Sequence, residues 1–308
     1  MTQTMLKLQA TIVVYLCFGF ALNKTKLIKK DDSIFLSTLI LEFILPVSIL
    51  NSCIRSLNKD TLSAGALILF VAAFFEAVIY LCTKWGSKKT NEDARSIFQY
   101  GMLVSNGGLI GTPIIEGLFG SAGVLYANIF LIPTRVMAYS AGEAFFNRQE
   151  KKGMKDTLKG LAKNKVIVSM VLGIVLGLCN LQMPSFFMDA LKNVSSCLAP
   201  LSLVLVGSML ADKMSFSRNE IGYVSLLCVM RQIIIPLLVM FAVSVLPFSV
   251  EVKYTMVLLM GMPIGSTCAI FANKYQKGTV LASESVFIST ISSILTLIVL
   301  TKIMGYFI

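Results

Sequence analysis

Ser105-Asn106-Gly107-Gly108-Leu109-Ile110-Gly111-Thr112-Pro113-Ile114 is the stretch around which the chain is organised. Four of its ten residues are glycine or proline, yet it lies inside an apolar run long enough to cross a bilayer. Glycine and proline at that density open a helix. Gly261-Met262-Pro263-Ile264-Gly265 repeats the pattern far downstream. Two broken membrane helices at matching places in two halves of a chain point to the binding site of a transporter.

Composition agrees with a membrane setting. The 308 residues are 56% hydrophobic and 14% charged, with mean hydropathy +0.80. A soluble domain carries roughly 25% charged residues, so this balance is that of an integral membrane protein. The apolar runs are too long, and too little alternating, for barrel strands. The net charge of +11 falls in short loops between apolar runs, which argues for cytoplasmic loops and against nucleic acid as a partner. There is no histidine, which excludes Ser-His-Asp triads and His-ligated metals. No GxxxxGK[ST] motif offers ATP drive, and no acidic cluster has metal spacing, so neither a cofactor nor a metal is expected. The seven cysteines form no CxxC pair and read as small buried hydrophobes. A membrane-embedded enzyme is therefore a remote alternative.

Ten spans follow: Met5–Leu22, Ile34–Cys53, Leu62–Cys82, Ile97–Phe119, Val124–Phe145, Val166–Leu181, Phe187–Leu210, Ile221–Leu246, Tyr254–Asn273 and Ser283–Met304. The first has no clear cleavage site after it and reads as a retained helix. Alternate loops, starting with the first, hold nineteen lysines and arginines against six on the other side. That bias places both termini outside and the long basic loop Asn147–Lys165 in the cytoplasm. Within that loop Met154, Leu158 and Leu161 recur at helical spacing among lysines, as in a short helix lying on the membrane surface.

The two halves look like copies. Phe43–Leu50 around Pro46 resembles Cys197–Val204 around Pro200, and Gly111–Ile114 resembles Gly261–Ile264. The prolines are 67 residues apart in the first half and 63 in the second. Five spans per half is odd, so the second half enters the membrane upside down. The expectation is an all-α membrane protein of ten transmembrane helices. They form two inverted five-helix repeats, 1–147 and 166–308, joined by a basic linker, 148–165. Helices four and nine are crossed and broken at proline.

The chemistry sits at those breaks. Proline suits the first position of a helix, so half-helices are expected to begin at Pro113 and Pro263 with free N–H groups that favour an anion. Asn106, Gly111, Thr112, Ser266 and Thr267 lie beside them. Arg135, near the middle of span five, is costly in a membrane and either binds a substrate carboxylate or pairs with Glu42, Glu76 or Glu143. Glu76 and Arg231 are 155 residues apart, close to the repeat offset, and read as symmetry-related supports flanking the site. Glu76 is also the best-placed carboxylate to carry a proton, with Glu42 next. Glu284, at the start of span ten, reads as interfacial.

The chain resembles the auxin efflux carrier family, in its short bacterial branch of predicted malate and malonate permeases. The resemblance covers essentially the whole chain. It rests on Asn106 through Gly111, Pro113 and Ile114, and on Leu198-Ala-Pro-Leu-Ser-Leu leading to Gly207 and Ala211. Pro263, Ala272, Tyr275, Ser289 and Thr290 add to it. The resemblance implies crossed fourth and ninth helices, as in bile-acid and sodium–proton transporters. It also implies a scaffold domain, a transport domain and elevator-type alternating access. It makes Asn106 a substrate contact and Tyr139 a wall residue. Two positions depart from the pattern: Asn164-Lys165 replaces Asn-Pro, and Arg135 stands where an uncharged polar residue is expected. The expected partners are a small organic anion, a coupled proton or, alternatively, sodium, the lipid bilayer and a second copy of the chain in a homodimer.

Overall fold

The computed structural model describes residues 2–56, 59–86, 91–147, 165–179, 183–211 and 218–307. Every regular element among them is helical. In order these are α1 Thr2–Lys24, α2 Lys30–Leu39, α3 Leu45–Ser56, α4 Lys59–Gly86 and α5 Glu92–Leu103. Then come α6 Thr112–Met137, α7 Glu143–Phe146, α8 Lys165–Leu178, α9 Ser185–Ser196 and α10 Leu198–Leu210. The last five are α11 Arg218–Val229, α12 Ile235–Ser244, α13 Val250–Met260, α14 Thr267–Tyr275 and α15 Thr279–Phe307. The helix expected over Met154, Leu158 and Leu161 lies outside the described residues.

Length and hydropathy qualify six stretches to cross a membrane: Asp32–Arg55, Ser63–Trp85, Gly107–Phe146, Ser185–Leu210, Ile221–Ser244 and Thr279–Phe307. Ala10–Lys24 and Lys165–Leu178 are apolar but shorter. Gly107–Phe146 runs for 40 residues and turns at Gly120, where φ is 60° and ψ is −148°. That region is essentially closed to residues with a Cβ. Nothing lies within 4 Å of the place a Cβ would take, so backbone conformation rather than space requires glycine.

Three prolines leave the same mark. Five-residue π-helical turns at Ile40–Ile44, Gly107–Gly111 and Met230–Ile234 each end two residues before a proline, at Pro46, Pro113 and Pro236. Proline has no N–H to offer the carbonyl four residues back, and its ring crowds that carbonyl. A turn widened to i→i+5 bonding absorbs the clash without breaking the helix. Thus Leu45 N–H reaches the Ile40 carbonyl and Ile235 N–H reaches that of Met230. This corrects the expected break at Pro113. Helix α5 ends at Leu103, Val104 is extended, and helical bonding resumes at Gly107. Pro113 is the second residue of α6.

Packing divides the chain into two compact units, each drawn from three separate stretches. The first comprises Met1–Leu67, Gly108–Ile129 and Gly160–Lys213. In it α1 lies along α10 with backbones in contact. A Cβ on Gly19 would fall 1.9 Å from the Val204 carbonyl oxygen, and one on Gly207 would fall 2.1 Å from that of Leu16. Small residues permit such approach, and the close packing supplies the attraction that lipid solvent does not. Lys24 Nζ closes the end of α10 by donating to the Ala211 carbonyl at 2.9 Å. Helix α3 packs on α8 and α9, with Gly173 against Cys53.

The second unit comprises Ile68–Gly107, Phe130–Lys159 and Met214–Ile308. In it α11 and α14 pack on α15, and α12 packs on α13. At one end, ion pairs and aromatic rings tie α5, α7 and α14 together. Glu143 accepts from Lys274 Nζ at 2.9 Å and from the Tyr275 hydroxyl at 2.6 Å. Lys277 pairs with Glu92 at 2.9 Å. Tyr100, Phe146 and Phe271 pack ring against ring beside them.

Candidate functional site

The second unit holds two helix interruptions. Helix α5 is started by Asn91, whose side chain accepts from Ala94 N–H, with Glu92 and Asp93 in its first turn complementing the dipole. Its periodicity then runs into Val104-Ser105-Asn106-Gly107-Gly108, five residues with poor helix propensity. Helix α13 is capped by Ser249 and ends at Met260, and 261–266 is non-helical up to α14 at Thr267. Pro263 lies in this link rather than at the start of the second half-helix. Both half-helices therefore begin away from the prolines, at Gly107 and at Thr267.

The interruptions satisfy each other. Asn106 N–H donates to the Pro263 carbonyl at 2.8 Å, and Gly265 N–H donates to that of Val104 at 2.9 Å. This pairs Ser105 with Ile264 as an isolated antiparallel bridge. Unpaired backbone at membrane depth costs several kcal/mol per group, so the pairing offsets part of what opening two helices exposes.

Side chains hold the pair from three directions. Arg231, 1% exposed, donates from Nη1 to the Met102 carbonyl at 3.0 Å, taking up one of the last carbonyls of α5. Ser289 Oγ accepts from Ile264 N–H at 3.2 Å. Tyr100 donates its hydroxyl to Thr267 Oγ1 at 2.6 Å. Glu76 is buried, accepts from the Thr134 hydroxyl, and shares an electrostatic field with Arg231.

The expected site residues divide between the units. Asn106, Pro263, Ser266 and Thr267 come together at the bridge, with Arg231 beside it. Asn106 is only 7% exposed, and its side-chain amide has no hydrogen-bond partner among the described residues. Gly111, Thr112 and Pro113 are buried residues of the first unit. Glu42 is also in that unit. Instead of a sequestered carboxylate it is exposed, paired with Lys165 Nζ at 3.1 Å, because the Ile40–Ile44 turn presents it outward. Arg135 is half-buried near the end of α6 and has an interaction of its own. The three carboxylates offered to it by sequence each hold another partner: Lys165 for Glu42, Thr134 for Glu76, and Lys274 with Tyr275 for Glu143. Tyr139 has its backbone in the π-helical turn Ala138–Gly142, and its side chain lies outside the described residues. Glu284 is corrected: it lies in the second turn of α15 and is buried rather than interfacial.

Sequence reasoning passed over Gln232. It sits beside Arg231 in the middle of an apolar span, and an uncharged polar residue there was the available signal.

Apolar spans around paired helix interruptions define a membrane transporter. The family model described as membrane transport protein matches residues 4–301, and the chain belongs to that family, the auxin efflux carrier family. It is similar to an uncharacterized transporter of Methanothermobacter thermautotrophicus. The two are 23% identical over 294 residues, which cover 93% of this chain and 94% of the relative. An uncharacterized transporter of Methanocaldococcus jannaschii is 21% identical over 298 residues, again 93% and 94% of the two chains.

Proposed function

We propose that the protein carries small organic anions across the cell membrane, mono- or dicarboxylates such as malate and malonate or auxin-like acids, by elevator-type alternating access. The observation that carries this reading is Asn106, a buried residue beside the bridge whose side-chain amide has no hydrogen-bond partner among the described residues. An amide in a buried setting with no hydrogen bond among the described residues is available to a ligand. Thr267 begins α14, and the first N–H groups of a helix attract negative charge. A carboxylate is the group that satisfies both.

In this reading the chain has ten helices in two inverted repeats, 1–147 and 166–308, joined by the basic linker. The Gly107–Phe146 stretch counts as two spans about Gly120. Both termini lie outside and the linker lies in the cytoplasm, as the lysine and arginine bias indicates. The substrate carboxylate meets Asn106, Pro263, Ser266 and Thr267, and Arg135 and Tyr139 of the same unit complete the pocket. The body carrying the crossed helices then moves against the remaining helices. Glu76 carries a coupled proton, and the assembly is a homodimer.

Arg231 favours this reading over sodium symport. Half-helix C-termini are where cation-coupled transporters hold sodium, and here a guanidinium already donates to the Met102 carbonyl. Uptake in proteoliposomes is therefore expected to be unchanged by removing the sodium gradient. The test of the site is Asn106→Ala, which is expected to abolish labelled malate or malonate uptake while the protein still folds. Unchanged uptake overturns the assignment.

A further inference from the structure

The π-helical turn Met230–Ile234 places two adjacent residues, Arg231 and Gln232, in the interior, each 1% exposed. Arg231 reaches one arm of the paired interruption through the Met102 carbonyl. Gln232 reaches the other arm through α15. Its Nε2 donates to the Ser289 carbonyl, and its Oε1 accepts from Ser292 Oγ at 2.7 Å. Ser289 in turn accepts the Ile264 N–H with its hydroxyl. Both ends of the Gln232 amide are thus engaged, and the last acceptor in the relay receives the backbone of the bridge residue itself.

We infer that this turn is the positioning element of the site: Gln232, acting through Ser289, and Arg231, acting through Met102, set the two arms of the bridge from one place. Gln232 is a positioning residue, because its hydrogen bonds go to Ser289 and Ser292 rather than to the bridge. Pro236 explains why the turn exists. Without an N–H at 236 the carbonyl of Gln232 is released, the turn widens, and Arg231 and Gln232 can be buried side by side. Such widened turns recur at functional sites. The claim about ligand affinity rests on the carboxylate reading above, whereas the claim about backbone position does not.

Hydrogen exchange on the full chain in nanodiscs, paired with malate and malonate uptake, separates the two. Gln232→Leu keeps the volume and removes both amide bonds. The peptide carrying Ile264 and Gly265 is expected to exchange about tenfold faster, with α1 and α10 unchanged. The Michaelis constant for uptake is expected to rise about tenfold with maximal velocity within about twofold, the split expected when ground-state geometry is lost. Unchanged exchange at Ile264 and Gly265 overturns the inference. So does a uniform rise across both units with an unaltered Michaelis constant, which marks a residue that only stabilises the fold. If Gln232→Leu does not fold, Ser292→Ala, which deletes only the bond to Oε1, is expected to raise local exchange about threefold, and no rise overturns the proposal. If the wild-type protein takes up neither anion, the carboxylate reading fails while the exchange result still decides the role of Gln232.

Discussion

The two compact units hold themselves together by different means. In the first, α1 and α10 meet backbone to backbone at Gly19 and Gly207, and what matters is the absence of side chains. In the second, Arg231, Ser289 and Tyr100 hold an opened backbone, and what matters is which donor meets which acceptor. The first arrangement tolerates no added volume. The second tolerates no lost hydrogen bond. A membrane protein can use both, because lipid rewards close packing little and punishes unpaired polar groups heavily.

Removing a charge from the second unit is the strongest way to break this contrast. Arg231→Met leaves the Met102 carbonyl without that donor and Glu76 without its compensating field. Loss of one buried charged partner costs about 3–5 kcal/mol, expected as a large fall in the thermal unfolding midpoint. Adding Glu76→Gln to it is expected to recover part of the loss, since the uncompensated carboxylate is then gone.

Adding volume to the first unit comes next. Gly207→Ala forces α1 and α10 apart, because the obstacle is the Leu16 carbonyl rather than a movable side chain. The expected cost is about 3 kcal/mol, read from thermal unfolding in detergent. The smallest effect sharpens the comparison from outside both interiors. Lys165→Ala removes an ion pair whose partners are each more than half exposed, and it is expected to change stability by less than about 1 kcal/mol, and less still at high salt.

Much of this was legible in the chain. Low charge and repeated apolar runs specify a helical membrane protein, and the glycine and proline clusters mark where helices are disturbed. How a proline disturbs a helix was not legible. A proline can break a helix or widen one turn, and the two outcomes differ by a single residue in the bonding pattern. At Pro46, Pro113 and Pro236 the chain widens a turn. At Val104–Asn106 it breaks, where propensity is poor and no proline stands. Partners were the least legible. The repeat offset links Arg231 with Glu76, but the Met102 carbonyl is 129 positions from Arg231 and only folding brings them together.

The bridge between Ser105 and Ile264 is made entirely by main-chain atoms. The bonded atoms are the N–H groups of Asn106 and Gly265 and the carbonyls of Pro263 and Val104, none of them on Ser105, so the join does not depend on what Ser105 displays. Ser105 is half-buried beside Asn106 and its hydroxyl has no partner among the described residues. Its side chain can therefore be exchanged while the crossing stays closed. Under the proposed carboxylate reading, position 105 is a place to retune selectivity, by mutation or over evolutionary time, without renegotiating the architecture that supports it.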